Sequence, residues 1–177
     1  MPGEKYIYYS NYSSAIGPLT IAATDYGICS LQFGEIKDVF PMMNARVRKQ
    51  HIPGKLIEDE TMVKEGIHQL EEYFSHKRKT FDLPFDLYGT AFQRLVWETL
   101  QCIPYGETRS YKQIAAAIGT PKAVRAIGSA NNKNPLPIFL PCHRVIGSNG
   151  NMVGYGGGLD KKKYLLQFEG ALEKISS

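Results

Sequence analysis

The sequence predicts an α/β domain of antiparallel sheet and helices over residues 1–88, followed by a mainly α domain over residues 89–177. Three features predict it. The chain opens with short β-prone runs divided by turn signals, it turns to a helical period after Thr90, and its composition shifts at Tyr88-Gly89-Thr90.

Lys5 to Ser10, Leu19 to Ala23 and Ile28 to Phe33 are rich in Ile, Tyr, Leu and Thr. Gly17-Pro18 and Asp25-Tyr26-Gly27 separate them, which predicts an antiparallel meander. A weak helical stretch follows at Asp38 to Gln50 and a stronger one at Glu60 to Phe74, where Val63, Ile67, Leu70 and Phe74 recur at i, i+4, i+7 and i+11. A strand is expected at Thr80 to Leu83, ahead of the turn-rich segment Pro84 to Thr90.

In the second domain Thr90 is placed to cap a helix from Ala91 to Cys102, with Phe92, Leu95, Val96 and Leu100 inward. Pro104-Tyr105-Gly106 ends it. Thr108 or Ser110 opens a second helix whose inner face is Tyr111, Ile114, Ala115 and Ile118, and Gly119 stops it. Thr120 then caps a third helix, Pro121 to Asn131, pointing Val124 and Ile127 inward and Lys122, Arg125 and Ser129 outward. Small residues, among them Ala126, Gly128 and Ser129, keep this helix thin enough for a duplex backbone to approach. Helix, tight turn and helix match a DNA-reading element, and equally a packed hairpin.

Composition narrows the function classes. The net charge of +4 is unevenly placed: residues 1–90 carry 10 Lys and Arg against 12 Asp and Glu (−2), and residues 91–177 carry 11 against 5 (+6). The second half is therefore the candidate for a polyanionic partner. No run of about 18 apolar residues is present to span a bilayer, and the N-terminal residues lack the pattern of a secretion signal. A soluble protein of a reducing, intracellular compartment is expected. Cys29, Cys102 and Cys142 are far apart and form no metal-spaced cluster, so neither metal nor cofactor is predicted.

The chemistry concentrates after Asn132. Two prolines stiffen Asn132 to Pro137, which leads into a strand expected at Ile138-Phe139-Leu140 and then into Pro141-Cys142-His143-Arg144. A thiol beside His143 and Arg144 is in an electropositive setting that should lower its pKa. Cys29 and Cys102, in apolar or helical contexts without a neighbouring His, read as structural thiols. In extended chain Cys142 and His143 point apart, so proton transfer between them needs a water or a bend. An orienting carboxylate for His143 is expected among Glu98, Glu107, Asp160, Glu169 and Glu173, and spacing does not choose between them. The glycines of Val153-Gly154-Tyr155-Gly156-Gly157-Gly158 match no nucleotide-binding spacing and suit close approach of a flat ligand.

Six segments together resemble the O6-alkylguanine-DNA alkyltransferases, the methylated-DNA-protein-cysteine methyltransferases. They are Pro141-Cys142-His143-Arg144-Val145; Arg109 to Ala115; Pro121 to Gly128; Asn134-Pro135; Tyr155-Gly156-Gly157-Gly158-Leu159; and Leu165 to Gly170. The resemblance implies a ribonuclease-H-like first domain and a winged helix-turn-helix in the second. It further implies irreversible, single-turnover transfer of the alkyl group from O6 of guanine in double-stranded DNA to Cys142, after base flipping. O4 of alkylthymine is a second candidate substrate position. By the same resemblance His143, paired with Glu169, activates Cys142 through a water, and Tyr111 donates to the departing base. Arg125 fills the gap left in the duplex, with Ala126 and Ser129 on the same DNA-facing helix, and Asn134 braces the loop. Val145 and Cys142 offer carbonyls to the exocyclic amine, and Tyr155 and Gly156 line the pocket.

Two departures from that pattern stand out. The first domain shows no zinc cluster of the kind some relatives carry, and Gly156 replaces a side-chain hydroxyl found in others, which predicts room for alkyl groups larger than methyl. A monomer in the cytoplasm, on the nucleoid or in a nucleus is expected. Two other classes compete with this reading. A lesion-sensing binder of the same fold would lack Cys142. A cysteine hydrolase would place Cys and His on separate elements and turn over repeatedly.

Overall fold

A computed structural model describes residues 3–152, 155 and 157–176. The chain forms two compact units, Met1–Tyr88 and Gly89–Ser177. In the first, β1 (Tyr6–Ser14), β2 (Gly17–Thr24) and β3 (Gly27–Phe33) form the expected meander, with Tyr8 opposite Ala23 and Leu19 opposite Phe33. Helix α1 (Ile36–Lys49) is followed by β4 (Lys55–Glu58), which pairs in parallel with β1 and gives the order β3-β2-β1-β4. Four residues carry too little periodicity to announce β4; its hydrogen bonds to β1 make it a strand. Helix α2 (Lys64–Phe74) completes the unit.

Ile7, Ala22 and Cys29 pack with Val39 and Met43 of α1. Leu19 and Ile21, pointing the other way from β2, are also fully buried, so this strand is covered on both faces. Thr80 to Leu83 forms no strand. The chain meets the sheet slightly later, as a single bridge of Phe85 with Ile28, and a Cβ on Gly27 would lie 2.5 Å from the Pro84 carbonyl oxygen at that contact.

The second unit opens with α3 (Ala91–Leu100). Thr90 accepts from the Gln93 N–H at 3.1 Å, and the Gln93 side chain accepts from the Thr90 N–H at 3.0 Å, a reciprocal cap. The buried face is Val96, Trp97 and Leu100, while Leu95 is 45% exposed. Trp97 turns the helix: its indole is buried and donates to the Ala130 carbonyl at 2.8 Å. The two-residue β5 (Arg109–Ser110) leads to α4 (Tyr111–Ala117), capped by Ser110 with Gln113 in the same reciprocal way.

Gly119, at φ +78°, ends that turn as expected. Helix α5 (Val124–Asn132) starts three residues later than the sequence predicts. The Thr120 carbonyl accepts from the Ala123 N–H, so Pro121 to Ala123 form a turn and the helix is rotated; Val124 becomes 38% exposed while Ile127 stays buried. Ile138 to Leu140 also differs from expectation. Prolines on both sides leave few donors for a ladder, the Leu140 N–H donates to the Leu136 carbonyl, and the buried Ile138 adopts φ +76°. Strand β6 (Val145–Ile146) pairs in parallel with β5, and α6 (Leu159–Phe168) and α7 (Leu172–Ser176) close the unit.

Candidate active site

Cys142, His143 and Arg144 form one turn of 3-10 helix, not the extended chain expected. The Arg144 N–H donates to the Pro141 carbonyl at 3.0 Å, and the Cys142 N–H to the Leu140 carbonyl at 2.7 Å. All three side chains are buried. Asn134 pins the preceding loop from both ends of its amide: Nδ2 donates to the Leu140 carbonyl at 2.7 Å, and Oδ1 accepts from the Leu136 N–H at 2.9 Å. Asn131, which spacing did not single out, donates to the Cys142 carbonyl at 3.3 Å.

The carboxylate that spacing left open is resolved by distance. Glu169, at the C-terminal cap of α6 and buried, places Oε2 3.0 Å from His143 Nε2, without the alignment of a linear hydrogen bond. His143 Nδ1 is buried with no hydrogen-bond partner among the described residues. Burial lowers the pKa of His143, and the Glu169 charge only partly offsets it, so the ring is neutral near pH 7. Burial would raise the pKa of Glu169, but the charges and hydrogen bonds of His143 and Arg144 outweigh it and hold the carboxyl well below the usual carboxylate range.

The thiol behaves differently from the expectation for an electropositive neighbour. Burial pushes Cys142 up to about 11, opposed by the Asn134 side chain, Lys162 and Tyr155. Arg144 does not serve the sulfur; Nε and Nη2 each reach a Glu169 oxygen at 2.8 Å. The nearby cation is Lys162. It is fully buried, donates from Nζ to the Val145 carbonyl at 2.5 Å, and lies 5.9 Å from the Tyr111 ring centroid. Burial lowers Lys162 to about 8, against the opposing pull of Cys142. In sequence it is the middle of Lys161-Lys162-Lys163 and reads as solvated charge. The signal was its register: 162, 165, 166 and 169 recur at i, i+3, i+4 and i+7, so Lys162 shares the buried face of Leu165, Leu166 and Glu169.

Pairing of β5 with β6 sets Tyr111, the first residue of α4, beside the segment that follows the thiol. Its ring is about one van der Waals contact from Gly128, where an added Cβ would lie 3.9 Å from it. Gly128 is one helical turn from Arg125, and Arg125, Ala126 and Ser129 are exposed on α5. The side chain of Tyr155 lies against Cys142 and lowers its pKa. The Val145 carbonyl, expected to face a ligand, holds Lys162 here. Gly156 lies outside the described residues. Cys29 is buried as expected, and Cys102 is exposed, since the helix meant to shelter it ends at Leu100. The array joins a buried thiol, a neutral base backed by an ionised carboxylate, and two phenols. It is equipped to move a proton away from sulfur and to hand one to a leaving group.

Family models described as 6-O-methylguanine DNA methyltransferase, ribonuclease-like domain, and 6-O-methylguanine DNA methyltransferase, DNA binding domain, match residues 7–87 and 91–171. A methylated-DNA–protein-cysteine methyltransferase of Methanosarcina acetivorans is 44% identical over 165 residues, covering 93% of this chain and 99% of that protein. The constitutive methylated-DNA–protein-cysteine methyltransferase of Bacillus subtilis is 44% identical over 163 residues, covering 92% and 94%. Among solved structures, Mycobacterium tuberculosis OGT in complex with DNA superposes with a TM-score of 0.79 at 39% identity, covering 96% of this chain and 99% of that one.

Proposed function

The chain belongs to the 6-O-methylguanine DNA methyltransferase family, and from that membership we propose that it repairs DNA by taking the alkyl group of O6-alkylguanine onto Cys142. The observation that carries the assignment of the acceptor is the burial of Cys142 in one turn with His143, whose ring is backed by Glu169 at 3.0 Å.

The Cys142 proton passes through a bridging water to His143 Nδ1, which is buried and has no hydrogen-bond partner among the described residues. Glu169 steadies the resulting imidazolium from Nε2. The thiolate attacks the alkyl carbon in line, the S–C bond forms as the C–O6 bond breaks, and the electron pair leaves on the purine. Tyr111 donates a proton to that base, and Lys162 beneath its ring supplies positive charge. The thioether has no route back to thiol, so each molecule acts once.

O6 of a stacked, paired guanine is poorly accessible to a buried sulfur, so the base rotates out of the duplex. Arg125, one turn from the glycine that contacts Tyr111, occupies the space left, with Ala126 and Ser129 along the same DNA face. Asn134 braces the loop, and Tyr155 and Gly156 line the pocket. Val145 offers its carbonyl to the guanine amine after Lys162 shifts, or through the second lone pair. No helix among the described residues is long and apolar enough to cross a membrane, which suits a protein working in the cytoplasm or on the nucleoid.

Incubating the protein with duplex DNA carrying labelled O6-methylguanine, followed by peptide mass mapping, should place one equivalent of label on Cys142 and then stop. Label on another residue, or repeated turnover, would refute the assignment.

A further inference from the structure

Arg144 is held by every part of its guanidinium. Nε and Nη2 donate to Glu169 Oε1 and Oε2 at 2.8 Å each, Nη1 donates to the Ile103 carbonyl at 2.6 Å, and the Tyr105 ring lies 5.8 Å from its central carbon. Oε2 of Glu169 is thus shared between Arg144 and His143, and the side chains of the three residues are at most 7% exposed. We propose that Arg144 is a positioning residue for alkyl transfer: its fork orients the buried carboxylate and keeps the His143–Glu169 pair free of a resting proton, so that His143 is an empty base when the alkylated guanine arrives. This rests on the reading of Cys142 as acceptor and His143 as its base.

The physical case is a balance of buried charges. A carboxylate in a dry site beside an imidazole would form a two-body pair that readily takes up a proton, leaving His143 already protonated and unable to accept another. A fixed cation on the carboxylate opposes that uptake. Arg144 with Glu169 is neutral before reaction; when His143 takes the Cys142 proton, the added positive charge is matched by the thiolate, and the array stays neutral. Lysine cannot substitute fully, because one ammonium cannot span both carboxylate oxygens in a fixed plane. Among the described residues, the other titratable groups bearing on the pair are Tyr105, Tyr155 and Lys162, with the Cys142 thiol in the same turn. The tyrosines remain neutral through the physiological range because burial, the largest influence on each, raises their pKa.

The test is the pH dependence of single-turnover transfer from O6-methylguanine duplex, from pH 5 to 9, for the parent, Arg144→Met, Arg144→Lys and the double variant Arg144→Met/Glu169→Gln, with folding followed by circular dichroism. Raising the proton affinity of the pair removes free base at higher pH, so the acid limb of the Arg144→Met profile should move up by about one pH unit or more. Arg144→Lys should move it less, and the added Glu169→Gln change should move it back. A uniform fall in rate with the parent's limb would make Arg144 merely structural and overturn the proposal. If Arg144→Met does not fold, Arg144→Lys carries the test, and an unshifted limb there overturns it equally. Label on a residue other than Cys142 would instead refute the acceptor assignment, independently of any limb.

Discussion

At the scale of single residues, Lys162 and Arg144 exchange the roles that their positions in sequence suggest. Arg144 adjoins Cys142 and His143, yet its charge is neutralised by Glu169, whereas Lys162, twenty positions from the thiol, bears on both Cys142 and Tyr111. A consequence for pH follows. Lys162 is charged below about 8 and favours the thiolate there; above about 8 it loses its proton and the buried thiol, held up to about 11, becomes harder to ionise. The transfer rate should therefore hold level through neutrality, where His143 is already a free base, and break downward above about 8. Lys162→Met should be slower at pH 7 by about tenfold, the equivalent of one pKa unit on the sulfur, and should show no break near 8. A break that persists in Lys162→Met, read by single-turnover kinetics, would assign it to another group. Cys142, His143 and Glu169 were legible from chemistry and resemblance, but the carboxylate could not be picked from spacing, because 25 intervening residues must fold before it meets the ring.

At the scale of elements, helix starts were legible where a side chain makes the cap. Thr90 and Ser110 each close a reciprocal cap with the glutamine three residues on; both are candidates from sequence, which leaves Thr108 equally open at the second. Ser110→Ala should cost about 1 kcal/mol, seen as a lower urea midpoint with an unchanged slope. Because the cap orients the first turn of α4, it should also slow transfer through Tyr111; an unchanged midpoint would mean that pairing of β5 with β6 alone fixes that turn. Where the backbone caps the helix, reading fails: Thr120 is a capping residue type, but Ala123 is the N-cap of α5, and Val124 turns outward as a result. The expected strands at 80–83 and 138–140 failed for a related reason. Each is a short run whose backbone hydrogen bonds go elsewhere, to the Gln69 side chain at Asp82 in one case and to Leu136, between flanking prolines, in the other.

At the scale of the whole molecule, the split of −2 against +6 between the halves assigns electrostatic attraction for the duplex to the second. Affinity of the full chain for undamaged duplex should fall by at least tenfold between 50 and 200 mM salt if two or more phosphates are neutralised; fluorescence anisotropy insensitive to salt would contradict this. Arg125→Ala should reduce transfer from duplex far more than from the free alkylated base, since only the duplex has a gap to fill. The sequence by itself determined the two-part architecture, the pair of helices joined at Gly119, the Cys142-His143-Arg144 motif and the charge bias, because these follow from local periodicity, turn chemistry and contiguous motifs. Only the tertiary structure decided that Cys142 to Arg144 is a tight buried turn, that Glu169 serves both His143 and Arg144, and that Lys162 is the cation near the thiol. Burial reverses the influence of neighbours in sequence: in a dry interior the acidity of a group is set by what folding places against it, and the desolvation that raises the Cys142 pKa is a property of packing, which no segment of the chain carries alone.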